Sequence, residues 1–179
     1  MKSSTLPSAF AVLLALLLTS CALWIPSTRH VPFNEAAFAS YGPSGSGTVE
    51  GRIAVTDEDD GALHVGANAN LTLLPVTAYT TEMVEREIGN GEVLARSDAR
   101  LRKFLRAATA DDRGQFVFNN VPAGDYYLTG LVEWYLGDDA QYQWACEKIS
   151  VEKGQTVRVS VSRDLHRARR PYVVFWRLD

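Results

Sequence analysis

Few residues of this chain stand at spacings that chemistry uses. His30, His64 and His166 are far apart and form neither His-x3-His nor His-Glu-x-x-His, the spacings that bring two imidazoles onto one metal ion. Asp57-Glu58-Asp59-Asp60-Gly61 gathers carboxylates on a turn. An EF-hand calcium loop, however, needs a Glu at its twelfth position, and Asn68 stands there. The run therefore reads as a solvated acidic hairpin. No Gly-x-Ser-x-Gly elbow occurs, Ser46 belongs to a linker-like Gly45-Ser46-Gly47, and Cys146 has no base near it in sequence. No catalytic residue, metal or cofactor is assigned on these grounds. The aromatic residues carry more: Trp134, Tyr135, Tyr142 and Trp144 flank a Gly137-Asp138-Asp139 turn. Aromatic rings left in water stack on sugars or pack on protein partners. Trp134 is assigned to the core, and Tyr142 and Trp144 form the candidate ligand platform.

The elements that position these residues follow an address segment. Lys2 precedes the uninterrupted apolar run Ala9 to Leu18, which is shorter than the roughly 18 to 20 residues that span a bilayer and suits a signal peptide. Leu18-Thr19-Ser20-Cys21 resembles the bacterial lipobox. That resemblance implies cleavage between Ser20 and Cys21 and a thioether-linked lipid on Cys21, with enough acyl chain for stable membrane anchoring. Ala22 stands where an Asp would favour inner-membrane retention, so the expected location is the outer membrane, facing the periplasm. The organisation expected is a signal peptide over 1–20, a flexible lipid-anchored tether over 21–47, a folded domain over 48–163 and a basic, aromatic extension over 164–179. The tether is punctuated by Pro26, Pro32 and Pro43, with Val31, Phe33, Phe38 and Tyr41 as residues able to dock.

From Thr48 the pattern has period two, the signature of strands with one buried face. Val49, Ile53 and Val55 share one face, as do Leu71 and Leu73, Phe116 and Phe118, Tyr126 to Trp134, Ile149 and Val151, and Val157 to Val161. Pro75 ends the second of these strands, and Asp60-Gly61, Arg113-Gly114, Gly137-Asp138 and Lys153-Gly154 supply turns. His64 falls in a predicted hairpin loop. One excursion interrupts the rhythm: Val84 and Ile88 at i, i+4 predict a short helix over Thr80 to Ile88, stopped at Gly89-Asn90-Gly91. The chain returns to a strand near Phe104.

The string Asp111-Asp112-Arg113-Gly114-Gln115-Phe116-Val117-Phe118-Asn119-Asn120-Val121-Pro122-Ala123-Gly124-Asp125-Tyr126-Tyr127-Leu128 resembles the signature of carboxypeptidase regulatory-like domains. These are close in fold to transthyretin-like and Cna-B-type sandwiches. The resemblance covers Thr48 to Arg163 and departs from the compact pattern in the excursion and after Arg163. It implies a seven-stranded sandwich; with the strand pattern and the excursion, the fold expected is all-β, transthyretin-like or immunoglobulin-like and antiparallel, with a short helical insertion. It also implies an accessory, non-catalytic role.

Lys and Arg total 18 against 21 Asp and Glu, a net charge of −3, which gives nucleic-acid binding no support. The function expected is a non-enzymatic envelope module that binds or scaffolds an envelope protein, with carbohydrate binding to cell-wall or surface glycan as the alternative. Exposure of Tyr142 and Trp144 separates the two. Recognition is expected to use the 77–104 excursion, with Met83, Glu87 and Arg96 as candidate contacts, because long ordered loops are uncommon without function. The competing reading makes it a cap on the sandwich. With Cys21 lipidated, Cys146 is expected to be an unpaired, buried thiol. Labelled palmitate should mark the protein, and Cys21→Ala should abolish the mark. A soluble, unlabelled wild-type protein would refute the lipid attachment.

Overall fold

The structure, a computed structural model, describes residues 26–57 and 61–162. The signal peptide, Cys21 and the 164–179 extension lie outside the described residues.

Period-two burial builds two sheets. β1 (Gly47–Thr56) buries Val49, Ile53 and Val55 completely and turns Glu50 and Arg52 outward. It is the hub of the first sheet. β5 (Gln115–Val121) pairs with it antiparallel over its first half, and β2 (Leu63–Val65) continues antiparallel at Ala54 to Thr56. β8 (Thr156–Val161) lies parallel to β1 over Thr48 to Ile53. The second sheet is antiparallel throughout, in the order β4 (Arg106–Thr109), β3 (Asn70–Pro75), β6 (Gly124–Leu136), β7 (Asp139–Val151). β6 and β7 form one hairpin, in register from Gly124 opposite Val151 to Leu136 opposite Asp139. The inner faces meet in the main core, where Ile53, Leu71, Leu73, Phe116, Phe118, Tyr126, Leu128 and Val132 are buried.

The all-β sandwich expected from the sequence is present, with two differences of detail. Among the described residues it has eight strands rather than seven, and one pairing, β1 with β8, is parallel. Between β7 and β8 the chain crosses from one sheet to the other, so β8 runs beside β1 in the same direction. His64 stands on β2, not in a loop.

Residues 26–47 are not a free tether in the structure; they pack on the domain. Asn34 caps a 3-10 turn at Glu35–Phe38. Phe38 is fully buried, stacked against Phe33 at 5.2 Å and Phe104 at 4.8 Å. Tyr41 lies edge-on to Tyr126. The physical reason is the outer face of the second sheet, where Leu74 and Tyr127 would otherwise meet water. Helix α1 (Ala78–Met83) opens on a Thr77–Thr80 capping box and continues as a π-helical turn, Val84–Gly89, instead of the single short helix expected. A 3-10 turn at Ala99–Phe104 adds Leu101 to the same cover. Val84 and Ile88 close over Cys146 and the edge of Trp144.

Carboxylates bolt this cover down. Glu82 is buried and accepts the amide N–H groups of His30 at 2.7 Å and Val31 at 2.9 Å, and the Arg86 guanidinium at 2.9 Å. Burial pushes its pKa up, but these donors outweigh burial and hold it at about 2. Arg86 also binds Glu92 at 2.6 Å. Arg29 reaches Glu87 at 3.4 Å, Ser97 at 2.9 Å and the Ala95 carbonyl at 2.8 Å. Glu87 is pushed up to about 7 because burial outweighs the attraction of Arg29.

Two outcomes follow from this architecture. A Cβ on Gly51 would collide with the Val159 carbonyl oxygen of β8 and crowd Phe116. Gly51→Ala should therefore prise β8 from β1 and cost about 3 kcal/mol in urea unfolding; an unchanged midpoint would contradict the close approach. Glu87 has a folded pKa near 7, above the unfolded value of about 4.3. Its contribution is complete below about pH 4 and is lost as pH rises through 7. Between pH 5 and pH 8 the wild type should lose up to about 3 kcal/mol more than Glu87→Gln, and equal slopes for the two proteins would refute the assignment.

Candidate functional site

The cover protects only one end of the second sheet's outer face. Alternation along β6 places Tyr127, Thr129, Leu131, Glu133 and Tyr135 on that face, opposite Lys148, Cys146, Trp144, Tyr142 and Ala140 of β7. The helical cover reaches Tyr127, Cys146 and part of Trp144. Beyond it the sheet is bare. Trp144 and Tyr142 are partly exposed, and Tyr135 is 64% exposed. Three aromatic rings thus occupy three successive levels, separated by about 6.6 Å each at the usual strand rise. Leu131 and Glu133 lie directly across from Trp144 and Tyr142.

The row has polar edges. Glu133 accepts the Tyr135 hydroxyl at 2.7 Å, and that bond to a carboxylate raises the Tyr135 phenol above its ordinary pKa. On the β3–β4 side, Asn70 stands next to Leu71, the residue that pairs with Gly130, and its side chain accepts from Thr109 at 3.3 Å. Such a surface offers flat apolar rings bordered by hydroxyl, amide and carboxylate groups, the mixture that holds a polyhydroxylated ring by one face and its edges.

The two residues singled out from the sequence as a platform are therefore brought together on one face. Trp134 goes to the other side of β6, packed on the main core and stacked on His64 at 4.5 Å. Sequence reasoning missed Leu131, Glu133 and Tyr135 as parts of the same surface. Tyr135 was visible as an aromatic residue, but its face follows only from the hairpin register.

The excursion behaves differently from its sequence reading. Met83 is 1% exposed in the cluster with Leu74, Tyr79 and Leu101, and Glu87 is buried against Arg29. Neither can meet a partner without unfolding the cover. Arg96 is exposed, alone of the three. The 77–104 segment is a cap: its apolar side chains have a sheet face to cover, and its charges are largely spent on the N-terminal segment.

Other sequence features hold no comparable site. Among the described residues no three His, Cys, Asp or Glu groups converge as metal ligands. His64 lies 3.8 Å from Asp57, and His30 is exposed beside Glu82; His166 lies outside the described residues. Cys146 is an unpaired, buried thiol pushed up to about 12 by burial, as expected of an inert core cysteine. A shallow groove runs over β1, β4, β5 and β8, lined by Glu50, Arg52, Gln115 and Arg158. Its one aromatic residue, Phe116, is buried in the core.

No family model and no curated protein sequence matches the chain. Among solved structures, the chain is similar to a "putative carbohydrate binding protein" from Pseudomonas aeruginosa, with 25% sequence identity and a TM-score of 0.65. The match covers 74% of this chain and 99% of that one, so the β-rich fold is shared along nearly the whole of that neighbour.

Proposed function

We propose that this protein is a non-catalytic carbohydrate-binding module that holds a cell-envelope glycan on the bare outer face of its second sheet. The observation that carries the reading is the row Trp144, Tyr142, Tyr135, whose rings share one face, Tyr135 exposed and Tyr142 and Trp144 partly so. A protein-binding module built like a domain interface would bury such rings in a compact apolar patch; here they form a strip bordered by Asn70 and Glu133. The description of the Pseudomonas aeruginosa neighbour lends support of the same kind. The carboxypeptidase regulatory-like resemblance of the Phe116 to Tyr126 string fits an accessory sandwich of this type. The lipobox-like Leu18 to Cys21 would place the module on a bacterial membrane, in the outer-membrane, periplasm-facing position that Ala22 favours.

A second reading keeps an envelope protein as the partner. It rests on the exposed tip, where Leu136 and Tyr135 stand beyond the sandwich.

Calorimetric titration with a neutral hexasaccharide of N-acetylglucosamine tests the first reading. Binding should be weak and saturable, and Tyr142→Ala should lower affinity about fivefold to tenfold, the share of one stacked ring. Circular dichroism should show the sandwich intact. Equal affinity in Tyr142→Ala, or no binding by a panel of neutral and charged oligosaccharides, would leave the glycan reading without support.

A further inference from the structure

We propose that the aromatic face selects glycans that carry free, protonated amines, an inference that rests on the sugar-binding reading of that face. The charge of the face decides it. Strand register identifies the strand side chains on the uncovered half of the outer face, from Ala107 and Thr109 on β4 to Trp144 on β7. One of them is charged, Glu133. It stands midway along the aromatic row, opposite Tyr142 and two residues from Tyr135.

Glu133 is exposed, and the Tyr135 hydroxyl fixes one of its carboxylate oxygens at 2.7 Å. The bond ties the carboxylate to a ring of the row. Asp138 and Asp139 at the hairpin turn add negative charge at the open end. The nearest cation in register, Lys148, is exposed but stands six residues along β7 from Tyr142, opposite Tyr127.

A sugar stacked on Tyr142 therefore places its substituents near the Glu133 carboxylate and the neighbouring aromatic rings. An ammonium group gains an ion pair with Glu133 and attraction to the aromatic quadrupoles. A carboxylate or sulfate on the same ring meets like charge, and no cation shares the three strand levels of the row. An N-acetyl or hydroxyl substituent stacks but gains neither term. The selectivity belongs to partly deacetylated amino-sugar polymers over uronic or sulfated ones.

The experiment compares, at pH 5.5, a glucosamine hexamer, an N-acetylglucosamine hexamer and a galacturonate hexamer against the full chain and against Glu133→Gln. The wild type should bind the amine hexamer about threefold to fivefold more tightly than the acetylated one, the size of one exposed ion pair, and the uronate most weakly. Raising the salt from about 0.02 M to 0.5 M should erase the preference. Glu133→Gln should bring the amine hexamer down to the level of the acetylated one. If the acetylated hexamer binds as well as or better than the amine hexamer, the amine selectivity falls while the glycan reading stands. If no hexamer binds, both fall together. A lysine hexamer that binds more tightly than the glucosamine hexamer also overturns the proposal and assigns the face to basic peptides.

Discussion

The β6–β7 hairpin has arms of thirteen residues, while β3 beside it has six and β4 only four. That mismatch organises the molecule. Where the hairpin has neighbours, its inner face closes the main core through Tyr126, Leu128 and Val132 against β1. Further out the opposing sheet supplies only the short β2, so Trp134 finds a partial partner in His64 and its ring N–H is left without an acceptor. The outer face divides in the same way. One end is roofed by α1, the π-helical turn and the N-terminal segment; the other carries Tyr142 and Tyr135, with Trp144 at the border, partly under the roof. A sheet face is stable bare only if its side chains tolerate water, and Thr109, Asn70, Glu133 and the amphipathic rings do so.

The roof shows why a cap can carry so much charge. Glu82 sits among groups that would expel an unpaired carboxylate, yet two backbone N–H donors and Arg86 satisfy it. Its bonds reach His30 and Val31, so the carboxylate fixes where the N-terminal segment lies. Apolar contacts from Phe33 and Phe38 would stabilise that segment without choosing its register so narrowly. Arg29 and Glu87 are less complete. Nη1 of the arginine and Oε2 of the glutamate are both buried without a partner, which is consistent with a carboxyl group that burial has pushed up to about 7.

Local period and turn chemistry made most of the sandwich readable. Val49, Ile53 and Val55 declared β1, Pro75 ended β3, and Gly137-Asp138 marked the long hairpin. The shared face of Tyr142 and Trp144 was readable because two residues on one strand need no tertiary information. Pairings that join distant residues were not readable. Nothing local says that β8 will lie parallel to β1, or that Glu82 will bind amides more than fifty residues before it. The same limit misassigned Met83 and Glu87. A mixed run of charge and apolar residues is compatible with an exposed recognition loop or with a cap whose charges point at another segment, and only the position of residues 27–31 distinguishes them.

The exposed row sets the scale of any affinity it has. A flat strip of three rings encloses a ligand far less than the cleft of a deep pocket, so each sugar keeps one face in water and each ring contributes modestly. Such a surface works by repetition. A polymer presents many equivalent sugars, and copies of the protein held on one surface rebind a chain before it can leave. On the proposed lipid attachment at Cys21, display on a membrane would supply that density. A shallow, rigid sheet face then suits the task better than a closing loop: β6 and β7 hold the rings in register along the strip, and no folding of the excursion has to accompany binding, because that segment is already fastened by Glu82 and Arg86.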